Sequence, residues 1–538
     1  LEKLIKKGYL IADFEIEFDN NGKIKDNYKI KGFLKDLKVS IFDRYDVSKL
    51  NLIFKINHNE YIFTDIESSI NNIPISSDEI IIKKNDEIFV VTGNLSNNKI
   101  DLKKDEIELF LKSYFKKLDI KKISLQTKNK FSFKIGEKLK VNDLNISSEI
   151  KLINFSIINN LRLDKFLPNL SDEINFFDQI INVNYSRKKL SIDGKGSVLI
   201  QKNEDEINYS IIKDGKKYIF NTSLNITDNP FKIDLLNYKK KNNSEIKLDI
   251  NGTNFISKYL RFDLISLNEN SNKIKIENLV VNKNFKVEKL KHVKFDYLDK
   301  DNVKNQFDLI KEKNNYSLSG KSLNADNLIK NLLDNDDDKN NFNFFGKNFN
   351  LKLNVEKVYL DVDNSVKQLK GKLSFDKDEL SEGNLNAFFS EDEKFSFTVK
   401  PDMNGKVTTL FLDKAEPIVK RYKFIKGYEN GSLDFYSLKK NNKSSSTLKI
   451  YDFKLKELPV LTKILTLASL QGIADILSGE GIRFNEFEMN FENDGNLMTI
   501  NEIYAIGPAI SLMMEGYFEK DKVISLRGTL VPATTINK

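Results

Sequence analysis

The sequence predicts a mostly β fold: a long, twisted and curved antiparallel sheet forming an elongated apolar groove, with a few helices. Three observations predict it. Apolar and polar residues alternate with period two in run after run. The apolar set is rich in strand-favouring residues, with 39 Phe, 19 Tyr and recurrent Ile and Val. Asn-Gly and Asp-Gly pairs punctuate the runs, as hairpins require. At 538 residues and 40% hydrophobic, the chain is long enough for several domains and apolar enough to build a core.

The alternating runs come in order along the chain. Phe14, Ile16 and Phe18 alternate with Glu15 and Glu17. Phe131, Phe133 and Ile135 repeat the scheme, as do Ile181, Val183 and Tyr185 against Asn182 and Asn184. Phe349, Leu351, Leu353 and Val355 alternate with Asn350, Lys352 and Asn354. Phe395, Phe397 and Val399 follow, then Phe487, Met489 and Phe491 against Glu486, Glu488 and Asn490. Each reads as a strand with one dry and one wet face, the pattern of an antiparallel sheet. Parity therefore makes Phe131, Phe133, Ile135, Ile181, Val183, Leu351, Leu353, Val355, Phe395, Phe397, Val399, Phe487, Met489 and Phe491 the candidate lining of a groove.

A Gly-x-apolar word recurs, for example at Gly93, Gly196, Gly371, Gly383, Gly431 and Gly528, and suits a tight turn or a strand kink. Asn21-Gly22, Asn404-Gly405, Asn430-Gly431 and Asp494-Gly495 read as hairpin turns. Gly194-Lys195-Gly196 lacks the third glycine of a dinucleotide fingerprint and also reads as a turn.

Two segments break the period. Near 105–118, Ile107, Phe110, Leu111, Tyr114, Phe115 and Leu118 fall at helical spacing. Over 459–478, Pro459 opens a helix and Ser478-Gly479 closes it. Leu461, Ile464, Leu465, Ala468, Ile473 and Leu477 make it apolar on most sides. It is long enough to span a bilayer, yet Lys463 and Asp475 would each cost a few kcal/mol there. A groove cap, an interfacial membrane contact and a span all stay open, with the cap favoured.

The rest of the inventory argues against chemistry. Basic and acidic side chains number 86 and 78, a net +8, and are interspersed, which describes a solvated face and no nucleic-acid footprint. There is no Cys, and His58 and His292 stand far apart without companion motifs. Asp334, Asp336 and Asp338 have calcium-loop spacing, but Lys339 and Phe345 occupy the positions that need Gly and Glu, so 334–341 reads as a solvated loop. Glu486 and Glu488 lie among many similar wet-face carboxylates. No catalytic residue, metal site or cofactor is expected, and the chain is read as a non-enzyme.

From about 448 onward the sequence resembles the C-terminal region of the AsmA-like envelope family, which includes YhdP and TamB, and is most similar to the YhdP-like branch. The matching words are Tyr451-Asp452-Phe453-Lys454-Leu455, Leu458-Pro459-Val460-Leu461 and Leu465-Thr466-Leu467-Ala468-Ser469-Leu470. Leu477-Ser478-Gly479-Glu480-Gly481-Ile482 follows, then Gly507-Pro508-Ala509 and Arg527-Gly528-Thr529-Leu530-Val531-Pro532-Ala533. Residues 321–447 fit the preceding part of that family more loosely, and 1–320 fit in strand pattern alone. This divides the chain into a repetitive β-groove region, a second groove region and a C-terminal module at 448–538. The resemblance implies a periplasmic protein of a Gram-negative-type bacterium, anchored in the inner membrane. It would carry phospholipid between the membranes in a curved β-groove, with an outer-membrane contact. The anchor is expected to be missing here, since the chain starts at Leu1 and stops after a strand-like run, as if cut at both ends.

Physics fits that role. A one-sided sheet must cover its dry face, either with its own residues or with an apolar guest. A sixteen-carbon tail costs on the order of 12 kcal/mol to expose, which a continuous apolar lining removes. At roughly 12 residues per strand and turn the chain supplies about 40 strands, which stacked about 4.8 Å apart would extend roughly 200 Å. The leading expectation is a conduit for phospholipid acyl chains. The alternative is a β-solenoid or sandwich of structural or adhesive role, closed by its own side chains.

Overall fold

The computed structural model describes residues 5–41, 45–103, 106–108, 119–136, 140–160, 163–256, 258–313, 315–333, 348–376, 379–403, 405–421, 427–441, 443–456, 481–495, 497–519 and 523–532. The protein is mostly β, as the alternation predicts, and is not closed into a barrel. It divides into two compact units, Leu1–Ile233 with Lys239–Ser271, and Asp234–Tyr238 with Asn272–Lys538.

The first unit opens with β1 (Ile5–Glu15), β2 (Lys29–Ile41), β3 (Tyr45–Asn57), β4 (Glu60–Ile70), β5 (Ile73–Asn85) and β6 (Ile88–Leu102). Next come β7 (Ile120–Ile135), β8 (Val141–Ile158), β9 (Glu173–Ser186), β10 (Lys189–Leu199), β11 (Glu204–Asp214) and β12 (Lys217–Ile226). Two short strands, β13 (Lys232–Ile233) and β14 (Tyr238–Lys239), precede β15 (Ile246–Phe255) and β16 (Tyr259–Glu269). Every strand from β1 to β11 pairs antiparallel with its successor, and β12 continues to β15 and β15 to β16.

The second unit contains β17 (Asn272–Val281), β18 (Val287–Lys289), β19 (His292–Leu298), β20 (Lys304–Glu312) and β21 (Asn315–Asn324). Helix α1 (Asp326–Leu333) follows, then β22 (Phe349–Tyr359), β23 (Ser365–Asp376), β24 (Glu379–Phe388), β25 (Lys394–Asp402) and β26 (Gly405–Leu412). A one-turn helix, α2 (Glu416–Val419), leads to β27 (Tyr428–Lys440), β28 (Lys443–Leu455), β29 (Ile482–Asp494), β30 (Leu497–Ile506), β31 (Ile510–Glu519) and β32 (Val523–Pro532). Pairing is again between successive strands, with β17 beside both β18 and β19. One pair departs from the expected antiparallel pattern: β21 and β22 run parallel. A parallel pair needs a crossover instead of a hairpin, and α1 begins it.

Among the described residues there are 32 strands, against the forty or so expected. They are longer than assumed, reaching 18 residues in β8. Such lengths need correction, because a twisted strand drifts out of phase with its neighbours. Residues with positive φ inside strands supply it: Asp36, Asp65, Asp143 and Asp178 in the first unit, Gln368 in the second. Each lies where the register shifts. A bulge of this kind inserts one residue and resets the alternation. Val366 and Leu369 are an odd number of positions apart, yet both join one core cluster across Gln368. Phe176 and Ile181 do the same across Asp178.

In each unit the strand ends form two unlike margins. One carries tight turns, such as Arg187-Lys188 with φ of 47° and 64°, Gly215 at 58° and Gly495 at 61°. The other carries most of the long connections, and most of the core closes there. In the second unit Leu412, Ala415, Val419, Leu433, Ile450 and Ile510 are buried together. Tyr428, Phe453 and Phe484 stack beside them at 5.4 and 5.2 Å. Arg421 ties this margin together, pairing its Nη1 with Asp326 of α1 at 2.8 Å and donating to the carbonyls of Pro417 and Leu360. The buried carboxylate of the second unit here is fully engaged. Asp299 accepts from the Asp301 and Val303 amides and from the Asn305 and Asn324 side chains.

Several sequence expectations need correction. Gly194-Lys195-Gly196 is not a turn but lies inside β10, where a Cβ at Gly194 would collide with the Tyr209 ring. Asn430-Gly431 is not a hairpin either. Both residues sit in β27 with φ of 64° and 80°, a distortion within the strand. Asn21-Gly22 and Asp494-Gly495 do turn the chain, Gly22 at a φ of 77°. Of the helix expected over 105–118, Glu106–Glu108 is helical and 109–118 lies outside the described residues. The apolar segment 459–478 and the acidic segment 334–341 lie outside them entirely, as does Asn404.

Candidate binding face

Directly paired residues of neighbouring strands project to the same side of a sheet, so register assigns each candidate to a face. In the first unit Phe131, Phe133 and Ile135 pair with Gly93, Val91 and Phe89 on β6. Across the other edge Phe131 meets Ile146, which itself pairs with Tyr185. Ile181 pairs with Ile150 and Gly194, and Val183 with Ser148 and Ile192. All five candidates therefore share one side. The same side runs back through Phe63 and Phe54 to Gly32 and Ala12, and on through Ile211, Phe220, Gly252 and Phe262.

The second unit behaves alike. Leu351, Leu353 and Val355 pair with Leu373, Gly371 and Leu369. Gly371 leads through Leu385 to Phe397, and Phe395, Phe397 and Val399 lead through Leu412, Leu410 and Thr408 to β27. Phe487, Met489 and Phe491 receive the row from Ile450, Leu448 and Ser446. All nine candidates of this unit lie on its one apolar side.

They differ in depth. Leu353, Val355, Val399 and Phe491 are buried, Val355 completely. Phe131, Phe133, Ile135, Ile181, Val183, Leu351, Phe395, Phe397, Phe487 and Met489 are only half-buried, covered from the flanks by their neighbours. Among the described residues, the non-strand segments packed on this side belong to the connections: Ile107 in the first unit, and Leu290, Ala325, Ile329, Phe389, Ala415 and Val419 in the second. Among the described residues, none of these segments extends a second layer over the middle of the strands.

Sequence reasoning missed a set of aromatic–glycine pairs on this side. Phe54 lies over Gly32, Phe131 over Gly93, Tyr209 over Gly194 and Phe220 over Gly252. In each pair the ring occupies the space that a Cβ would need, which keeps the surface filled and smooth. Of these glycines only Gly93 is among the Gly-x-apolar words given above, and a single sequence does not show what faces each glycine. The candidates Leu461, Ile464, Leu465, Ala468, Ile473 and Leu477 lie outside the described residues.

The opposite side is polar. Asn182, Asp193, Ser210, Asn221 and Asn251 form one row across five strands of the first unit. Charged groups there pair with one another. Glu486 and Glu488 both accept from the Tyr504 hydroxyl, at 3.2 and 3.0 Å, and Glu488 pairs with Lys449 at 2.7 Å. The hydrogen bond to Glu488 pushes the Tyr504 phenol up to about 12, and Lys449 holds the Glu488 carboxyl below its usual range. His292 stands between Glu277 at 3.2 Å and Asp308 at 2.8 Å. His58 lies 3.6 Å from Asp26. These are exposed or half-exposed networks on strand surfaces. Among the described residues no group of three His, Asp or Glu could hold a metal ion, and no helix is long and apolar enough to cross a membrane. Compared with protein-family models and with curated proteins, the sequence matches none.

Proposed function

We propose that this chain binds phospholipid by its acyl chains along the apolar side of its strands and serves, without catalysis, as a conduit for lipid in a bacterial envelope. One observation carries the reading: in each unit an apolar side spans the strands in register, and among the described residues its middle is covered from the flanks by neighbouring side chains. Left to water, a surface of that extent is costly, at about 25 cal/mol for each Å². Acyl chains are the guest that such a surface suits, being apolar, flexible and without hydrogen-bonding demands. The resemblance of 448–538 to the AsmA-like family supports a periplasmic setting between two membranes. The solenoid or sandwich alternative needs a second layer over mid-strand, and among the described residues what packs on this side from outside the strands comes from connections at the strand ends.

Site-specific photocrosslinking tests the proposal. Benzoylphenylalanine at Phe131 or Phe397, on the apolar side, is expected to crosslink phospholipid in cells. The same group at Ser132 or Thr398, one residue away on the polar side, is expected not to. Equal labelling at both positions of a pair would remove the basis for the reading.

A further inference from the structure

The turn-bearing margin of the apolar side holds lysines where register would lead one to expect more hydrocarbon. In the second unit Lys406 pairs directly with Lys439 across β26 and β27, both on the side of Thr408, Leu410 and Leu412. Directly opposed like charges destabilise a strand pair. Neither lysine has an ion-pair partner among the described residues. Lys406 donates from Nζ to the Leu380 carbonyl at 2.9 Å, and burial together with Lys439 lowers its pKa against the weaker opposing pull of the Glu379 carboxylate. Lys311, on the same side of β20, lies with its ammonium 5.8 Å from the Tyr316 ring. The first unit repeats the device on its own turn-bearing margin. There Lys213 pairs with Leu190 and lies over Tyr218, and Lys84 pairs with Phe89. Among the described residues, no register-paired Asp or Glu faces the apolar side at this margin in either unit. The acids on that side, Asp205 and Glu269, lie buried at the opposite margin.

The geometry points to selection of lipids with net anionic headgroups, whose phosphate sits against the Lys406–Lys439 pair while the acyl chains lie along the apolar side. This rests on the acyl-chain reading above and adds the headgroup to it. An anion relieves the repulsion between the two ammonium groups. A zwitterionic headgroup brings its own cation to the same place and relieves less of it. The lysine pair thus gives the lining, which is indifferent to headgroup, a preference of charge.

The test loads the full chain from vesicles of equal phosphatidylglycerol and phosphatidylcholine, then extracts and quantifies bound lipid by mass spectrometry. Enrichment of phosphatidylglycerol by about fivefold is expected, which is about 1 kcal/mol in favour of the anionic headgroup, what one lysine near an anionic lipid contributes. The enrichment should shrink in high salt. It should fall toward unity in K406Q/K439Q, with total lipid unchanged, and be retained in K406R/K439R. Equal loading of both lipids by the wild-type chain, or an enrichment that survives K406Q/K439Q, overturns headgroup selection and leaves acyl-chain binding standing. Absence of both lipids overturns the two together.

Discussion

Phe397 and Leu353 stand on the same side of the second unit, were singled out by the same alternation, and do different work. Leu353 is 8% exposed and belongs to the core cluster of Val355, Val358 and Val366. Leu353→Asp buries a carboxylate without a partner, so it is expected to cost about 3 kcal/mol or more and to lower the midpoint of thermal unfolding clearly. Phe397 is half-buried at mid-strand. Phe397→Asp is expected to retain the circular dichroism spectrum and most of the thermal stability while reducing bound lipid. Similar unfolding midpoints for both variants would contradict this division of labour. Sequence alone places both residues on one face, because period two encodes the side to which a residue points. Depth depends on which connection folds over which strand end, and no local pattern encodes that.

At the scale of the element, the strands were legible and their internal corrections were not. Asp178 resembles any polar residue of a wet face, yet its φ of 47° lets Phe176 and Ile181 share a side. A β-branched residue resists that conformation, so Asp178→Val is expected to destabilise the protein by about 1–3 kcal/mol, whereas Asp178→Gly should be close to neutral. Denaturant midpoints of the two variants check this, and equal midpoints would argue against the bulge. Gly194 was misread for the complementary reason: a glycine signals freedom of the backbone, and here it signals room for the Tyr209 ring. The parallel step from β21 to β22 was equally hidden, since each strand keeps its period whichever way it runs. Helix α1 opens that crossover, and Arg421 holds it through Asp326. Arg421→Ala is expected to cost about 1–3 kcal/mol and to speed amide hydrogen exchange in Asp326–Leu333 above the rest of the second unit. Uniform exchange throughout would show that the contact is incidental.

For the molecule as a whole, both units obey one rule. Each is a ladder of long strands with a wet side bearing paired charges, a dry side covered among the described residues by segments from the strand ends, and lysines on that side at the turn-bearing margin. Fourteen residues chosen by parity in the sequence fall on the dry sides, nine in one unit and five in the other, although no motif names a ligand. That uniformity suits the proposed acyl-chain surface, on which no single residue would stand out. The measurement that tests this most directly is the lipid content of the purified chain, by organic extraction and quantitative mass spectrometry. Acyl-chain binding predicts phospholipid at one or more molecules per chain, as the half-buried dry side requires. A folded chain that yields no more than trace lipid would mean that the dry side is satisfied by the protein itself.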